Sequence, residues 1–456
     1  MKINNEESCQ DHGLSPSMKA SAGKNKYRRF LLFLLIINII GIFVYGYYLL
    51  DSKLPDVLKV EVGTESAFDL ELPFVARAHV DDVSVVSIDR QPLSHEELTL
   101  DLSSPFSVQL SQSGNYQVQL QFMGITLKKI NVEAVDPARV MPVGAPVGIH
   151  IKTNGVMVLG TGKITDSTGT SVEPAKGIIK SGDYILEIDG IHVSDISDMT
   201  QLVRESQGEP MMLTVLRDNQ QIKLQVIPVM EAGGEYKAGI WIRDDTQGIG
   251  TLSFVDQNNN FAALGHGITD VDTSLLIDIN GGSLYPAQVR SIVKGEDGSP
   301  GEMVGTIYYS QNNRLGSIVK NTNSGIFGHL QAANEWRYDD SKALNVGFKQ
   351  DMHVGKAQIR CCVDGTVKDY EININSIDYN SRQDNKDFVI EITDKELLSK
   401  TNGIIQGMSG SPILQDGKIV GVTTHVFLND CAKGYGIFIE NMLAGMKDIS
   451  TYADTN

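Results

Sequence analysis

Four stretches of different hydrophobic period follow one another along the chain. Phe30 to Leu50 is an uncharged run of 21 residues, and at about 1.5 Å of rise per residue it matches the ~30 Å hydrocarbon core of a bilayer. A spanning helix is predicted at 30–50, behind a polar, aperiodic tail at 1–29. From Val57 to Val135 the pattern is one of short alternating segments, such as Ser107-Val-Gln-Leu-Ser and Tyr116-Gln-Val-Gln-Leu-Gln-Phe122, which predicts a small β-sandwich over 56–136. Asp136-Pro137 and the Pro142/Pro146 region then mark a boundary. Residues 141–230 read as a separate domain of glycine-interrupted strands, with a helical stretch Ser197–Arg204 and a hairpin Met211–Val226 turning at Asp218-Asn219. From Tyr236 onward short strands and glycine turns predict a barrel-like β domain over 235–456, closed by a terminal helix at Ile439–Met446.

Length agrees with this division, since 456 residues at roughly 150 per domain give about three folded units. Charge adds an orientation. Residues 1–29 hold six Lys or Arg against three Asp or Glu, which leaves about −20 of the net −17 on the rest of the chain. Lys19, Lys24, Lys26, Arg28 and Arg29 precede the apolar run and Asp51 follows it, so the bulk of the chain is expected outside the membrane. A cleavable signal peptide is disfavoured, because the apolar core is too long and no Ala-x-Ala site follows. So acidic a chain excludes nucleic acid as a partner. Of four cysteines, Cys9 falls on the cytoplasmic side, and Cys361, Cys362 and Cys431 read as buried thiols rather than a disulfide framework. No spacing suits a metal, and no cofactor is expected.

Glu173-Pro-Ala-Lys-Gly-Ile-Ile-Lys-Ser-Gly-Asp-Tyr-Ile-Leu-Glu-Ile-Asp-Gly190 resembles the PDZ stretch in which a short helix, a Gly-Asp turn, a strand and an Asp-Gly turn follow in order. That resemblance implies a peptide groove beside the helix carrying Met199, Leu202 and Val203. Gly148-Ile149-His150-Ile151 is expected at its carboxylate-binding loop, with His150 in place of the usual second glycine.

Gly407-Met-Ser-Gly-Ser-Pro412, followed by a hairpin through Gln415-Asp-Gly417, resembles the nucleophile loop of chymotrypsin-like serine peptidases. Its glycines permit the sharp turn that lifts the Ser409 hydroxyl clear, and the amides of Gly407 and Ser409 can serve a developing oxyanion. A serine needs a base and a group to orient it. His266, in Leu264-Gly-His-Gly-Ile-Thr-Asp270, lies upstream as the chymotrypsin-like order requires, with His329 and His353 as competitors. Thr424 and His425, on the strand after the nucleophile, are expected along bound substrate.

Gly265-His-Gly-Ile-Thr-Asp270, Gly301-Glu-Met, Gly325-Ile-Phe-Gly328 and Gln406-Gly-Met-Ser-Gly-Ser-Pro412 together resemble the stage IV sporulation protein B family, and the likeness extends over nearly the whole chain. It implies a catalytic triad of His266, Asp394 and Ser409. The residues alone leave the acid open among Asp394, Asp270 and Asp272, and Asp394 fits equally as a helix cap before Lys395-Glu-Leu-Leu. Gly267 stands where the family usually has a bulkier residue, which suggests a more mobile histidine loop. The resemblance further implies a forespore membrane protein, single-pass, with its domains in the intermembrane space. There it would cleave itself near the N-terminus, within Asp51–Leu58, and cleave a membrane-bound regulator of an intramembrane metalloprotease, activating a late mother-cell sigma factor. The competing readings are a non-catalytic PDZ and barrel adaptor, and a Ser–Lys peptidase with Lys418 as base.

Overall fold

The computed structural model describes residues 16–68, 75–80, 86–92, 97–122, 125–296, 298–331, 335–381, 385–447 and 449. Cys9 lies outside them. The chain is mainly β and divides into two compact units, one of residues 1–57 and 65–133 and the other of 58–64 and 134–456.

The first unit opens with the apolar helix, which runs from Pro16 to Lys53 and is longer than the pattern predicts. Extending an existing helix costs little once it is nucleated, and proline is well suited to a first turn. Its segment Tyr27–Lys53 is long and apolar enough to cross a membrane, and the side chains from Phe30 to Tyr48 are largely exposed. At its end Lys128, itself buried, pairs with Asp51 at 2.8 Å and Asp56 at 2.9 Å. Two sheets complete the unit. One orders Ile125–Val135, Gly114–Phe122, Val75–Val80 and Glu97–Asp101; the other orders Glu65–Phe68, Phe106–Leu110, Val86–Ile88 and Gln91–Pro92.

Twelve strands organise the second unit: β1 (Arg139–Thr161), β2 (Ile240–Val255), β3 (Asn260–Ala263), β4 (Ile279–Val293), β5 (Gly316–Thr322), β6 (Gly325–Leu330), β7 (Gly355–Cys362), β8 (Val367–Ile377), β9 (Phe388–Ile392), β10 (Pro412–Gln415), β11 (Lys418–Phe427) and β12 (Asp430–Phe438). Antiparallel pairing closes the first six in the order β1-β2-β3-β6-β5-β4 and back to β1. The last six close in the same order, β7-β8-β9-β12-β11-β10 and back to β7. Two six-stranded barrels of equal topology are the double barrel that the nucleophile loop implied. Closure leaves no sheet edge to solvent. Each interior is apolar, Val147, Ile149, Ile151, Leu252, Phe261 and Ile326 in the first and Ile359, Ile372, Phe388, Ile390 and Ile413 in the second. A third cluster with Phe254, Phe327, Val422, Ile437 and Met442 joins residues of both barrels. Cys361, Cys362 and Cys431 are buried and form no disulfide among the described residues.

The first barrel takes its first strand from a part of the sequence expected elsewhere. Gly148, Ile149, His150 and Ile151 lie in β1, where they pair on one side with Gly248 to Thr246 and Ile249 of β2 and on the other with Tyr285 to Gly282 of β4. Both edges are taken, so no peptide can add a strand there, and His150 instead pairs with Asp245 at 2.8 Å. The domain expected at 141–230 therefore begins later, as an insertion between the two halves of a β1–β2 ribbon.

Within that insertion the helix spans Ile196–Glu205 and is capped by Asp195, whose carboxylate accepts from Asp198 N. The hairpin Met211–Arg217 and Gln220–Val226 turns at Asp218 and Asn219, both with positive φ, as a two-residue hairpin turn demands. Met199 and Val203 sit one helical turn apart and point into the module's core with Val156, Ile185, Leu213 and Val226. They are core residues and do not line an open groove; Leu202 is only partly buried.

Candidate active site

Each barrel contributes one reactive side chain from its own connection between third and fourth strands. In the first barrel β3 ends at Ala263, and Leu264 and Gly265 turn with φ of 72° and 70°. A Cβ on Gly265 would stand 2.5 Å from Val422 and 3.1 Å from Thr424, so only glycine lets this turn press against the second barrel. His266 follows at that junction.

In the second barrel the β9–β10 connection forms the helix Lys395–Thr401 and then Gly407-Met-Ser-Gly-Ser411. Met408 is wholly buried beneath it. Gly410 turns with φ of 94°, and a Cβ there would meet Leu264 N at 2.5 Å and Thr251 O at 2.6 Å. The two loops thus touch backbone to backbone, and Thr251 Oγ1 ties them further by donating to Gly407 O at 2.6 Å. The amides of Met408, Gly410 and Ser411 donate to Ile405 O, Thr423 O and Met408 O. Those of Gly407 and Ser409 have no acceptor among the described residues, which leaves two donors for an incoming oxyanion.

The Ser409 hydroxyl donates to Thr424 O at 2.7 Å. His266 Nδ1 contacts Gly267 O at 2.9 Å; a carbonyl only accepts, so Nδ1 carries the proton and Nε2 keeps its lone pair. Burial pushes the His266 pKa below the usual imidazole value, with the Gly267 carbonyl opposing weakly. His266 is thereby a neutral base at neutral pH. Beside it lies His425, and desolvation, then His266 and Lys386, push that ring down to about 4. Thr424 is buried and gives its hydroxyl to Asn385 O at 2.7 Å.

Asp394 is engaged elsewhere than with the imidazole. It is the N-cap of the helix Lys395–Thr401, accepting from Leu397 N at 2.9 Å and Glu371 N at 3.4 Å. A carboxylate engaged with a first-turn amide is doing the work of a cap, and no hydrogen bond joins it to His266. Asp270 and Asp272 are likewise occupied, both by Arg243. The remaining candidates fall away from the site: His353 pairs with Asp416 at 2.8 Å, and His329 contacts Ile449 O at 3.4 Å. Lys418 pairs with Asp351 at 3.1 Å. It opens β11 six residues before Thr424, about 20 Å along an extended strand, so it cannot serve as the base of Ser409.

Gly267 is closely packed, contrary to the mobility its small size suggests. A Cβ there would stand 2.2 Å from Leu276 and 2.6 Å from Thr322 O. Asn321 secures the same loop, accepting from Ile268 N at 2.8 Å and donating to Ile268 O and Ile277 O, each at 2.9 Å. Neither Asn321 nor Thr251 belongs to a recognisable motif, so nothing in the sequence marks them. Among the described residues no group of three or more His, Cys, Asp or Glu is placed to hold a metal ion.

With this geometry in view, residues 234–443 match the SpoIVB peptidase S55 family. The C-terminal domain is a SpoIVB-type serine peptidase. The match begins just before β2, so β1, which closes the first barrel of this peptidase, lies upstream of the matched region. Among solved structures, the Rv3671c protease from M. tuberculosis in its active form shares 12% identity over 44% of this chain and 73% of that one, with a TM-score of 0.26. The HtrA-type protease AlgW with decapeptide shares 12% identity over 46% of this chain and 55% of that one, with a TM-score of 0.27. Likeness of that degree adds nothing to the fold that the strand pairings already show.

Proposed function

We propose that this SpoIVB-type peptidase is a membrane-anchored sporulation signalling enzyme in which Ser409 is the nucleophile and His266 its base. The observation that carries the catalytic part is the meeting of the two equivalent barrel connections, with Nε2 of His266 free to accept and the amides of Gly407 and Ser409 unused. For attack, the Ser409 hydroxyl leaves Thr424 O and passes its proton to His266 as Oγ bonds to the peptide carbonyl carbon. Negative charge then gathers on the carbonyl oxygen between the two free amides. The proton moves from His266 to the departing amine, and water repeats the sequence on the acyl-enzyme. In the resting chain the Gly267 carbonyl supports the imidazole where a triad would use a carboxylate. His425 and the Thr424 backbone flank the bound peptide.

The finer reading rests on the family and on the apolar helix. The helix spans the forespore membrane, the acidic bulk of the chain faces the intermembrane space, and the inserted module is PDZ-like in its sequence. Two substrates are proposed, the chain's own segment after the helix and a membrane-bound regulator of an intramembrane protease that controls a late mother-cell sigma factor. Comparing wild type with Ser409→Ala by intact mass tests the reading. Processing near residues 51–58 in the wild type alone supports it, and equal processing in both rules out self-cleavage by Ser409.

A further inference from the structure

The first strand residues of β2 lie in the inserted module, and the loop that carries His266 leans on that module at several points. Arg243, opposite Met157 in the ribbon, sends one guanidinium nitrogen to Asp270 and another to Asp272, the latter at 2.9 Å. The Asp270 side chain is fully buried. Its other carboxylate oxygen accepts from Asp272 N at 3.0 Å and Thr273 N at 2.9 Å, which shapes the turn 270–275. Nearby, Leu275 covers the face of Gly182, where a Cβ would stand 2.4 Å from it. Asp278 N donates to Tyr184 Oη at 2.9 Å, and Asn154 Nδ2 donates to Asp278 at 3.0 Å.

From this turn the order passes to the base in two short steps. Leu276 packs on Gly267, and Ile277 N donates to Ile268 O at 3.0 Å. Gly267 O is the group that holds His266 Nδ1. We infer that Arg243 is a positioning residue for catalysis, fixing the direction of the His266 imidazole from the inserted module through the Asp270 turn and Leu276. The inference rests on His266 being the base. Without the guanidinium, Asp270 is a buried carboxylate with no cation, and the turn must open to hydrate it. A displacement of about 1 Å at a catalytic group costs on the order of 100-fold in rate.

The test uses the full chain in detergent and a fluorophosphonate probe, whose phosphorus the activated serine attacks with loss of fluoride only when its base is in place. Phosphonylation rate constants are measured for wild type, Arg243→Ala, Arg243→Lys, Asp270→Asn and His266→Ala, with probe saturation separating binding from the chemical step and with the melting temperature of each. The expected result is a fall of about 10- to 100-fold in the limiting rate for Arg243→Ala and Asp270→Asn at unchanged probe affinity. Partial recovery is expected in Arg243→Lys, which restores the charge but not the fork. Wild-type rates in a folded Arg243→Ala or Asp270→Asn, with His266→Ala inactive, overturn the positioning role. A wild-type rate in His266→Ala instead overturns the assignment of the base. If Arg243→Ala does not fold, the shape-conserving Asp270→Asn decides.

Discussion

The ring of His266 lies 5.1 Å, centroid to centroid, from that of His425, at a tilt of 35°. Two imidazoles so close avoid being charged together, and no carboxylate is hydrogen-bonded to either among the described residues. The pair therefore stays neutral where an exposed histidine would begin to protonate.

This fixes the sign of the pH dependence. The base acts only when unprotonated, and its pKa is lowered by burial. The rate constant for Ser409 acylation should hold steady as pH falls to about 6.5, the ordinary imidazole value, and decline tenfold per unit only below it. A midpoint above that value in the pH–rate profile would mean that an acid reaches the ring in the working enzyme.

Asp394 can be assigned by two substitutions. Asp394→Ala removes the cap and should cost about 1 kcal/mol of stability, whereas Asp394→Asn retains an acceptor for Leu397 N and should stay close to wild type. Acylation is expected to follow stability in both. A loss of about 10,000-fold in the Asn variant at unchanged melting temperature would instead make Asp394 the group that orients the imidazole.

Gly410→Ala should disable the enzyme through geometry alone. Its positive φ disfavours a side chain, and the added carbon meets backbone atoms of Leu264 and Thr251 that cannot rotate away. A loss on the order of 2 kcal/mol in a denaturant titration is expected from strain and overpacking combined, together with loss of fluorophosphonate labelling. An unaltered labelling rate would mean that the two loops need not touch.

The segment proposed for self-cleavage is folded. Leu54 is buried, and Lys128 binds Asp51 and Asp56 on either side of it. An extended substrate conformation requires those pairs to break. Lys128→Gln should therefore speed N-terminal processing severalfold in a time course followed by mass, because it removes a cation that holds both carboxylates. Slower processing would place the cleaved bond elsewhere.

Periodicity and turn chemistry made much of this molecule legible. The alternation after Tyr236 belongs to barrel strands, and Asp218-Asn219 is a turn because both residues adopt positive φ. Gly407 to Pro412 could be read as a nucleophile loop because few other loops need glycine at both 407 and 410. The sequence was silent where the outcome depends on which partner a strand finds. Gly148 to Ile151 has the alternation of any buried strand, and nothing local says that it pairs with β2 and β4 instead of bordering a peptide groove. An aspartate ahead of Lys-Glu-Leu-Leu satisfies a helix N-terminus and a catalytic acid equally well, so the local sequence does not tell the two roles of Asp394 apart. Arg243 and Asp270 are far apart in sequence and carry no shared motif, as is usual for ion pairs made by tertiary folding.

The strand that completes the first barrel is synthesised before the whole inserted module, and its partners β2 and β4 come after it. On the ribosome, residues 139–152 of β1 must wait without their barrel partners while the module, which pairs with Val156 and Met157, emerges and folds. A polypeptide started at residue 234 would never receive that strand, and β2 and β4 would present two raw edges to other chains. Expression of such a fragment should yield aggregates, while one that starts before Arg139 retains the means to close its own barrel.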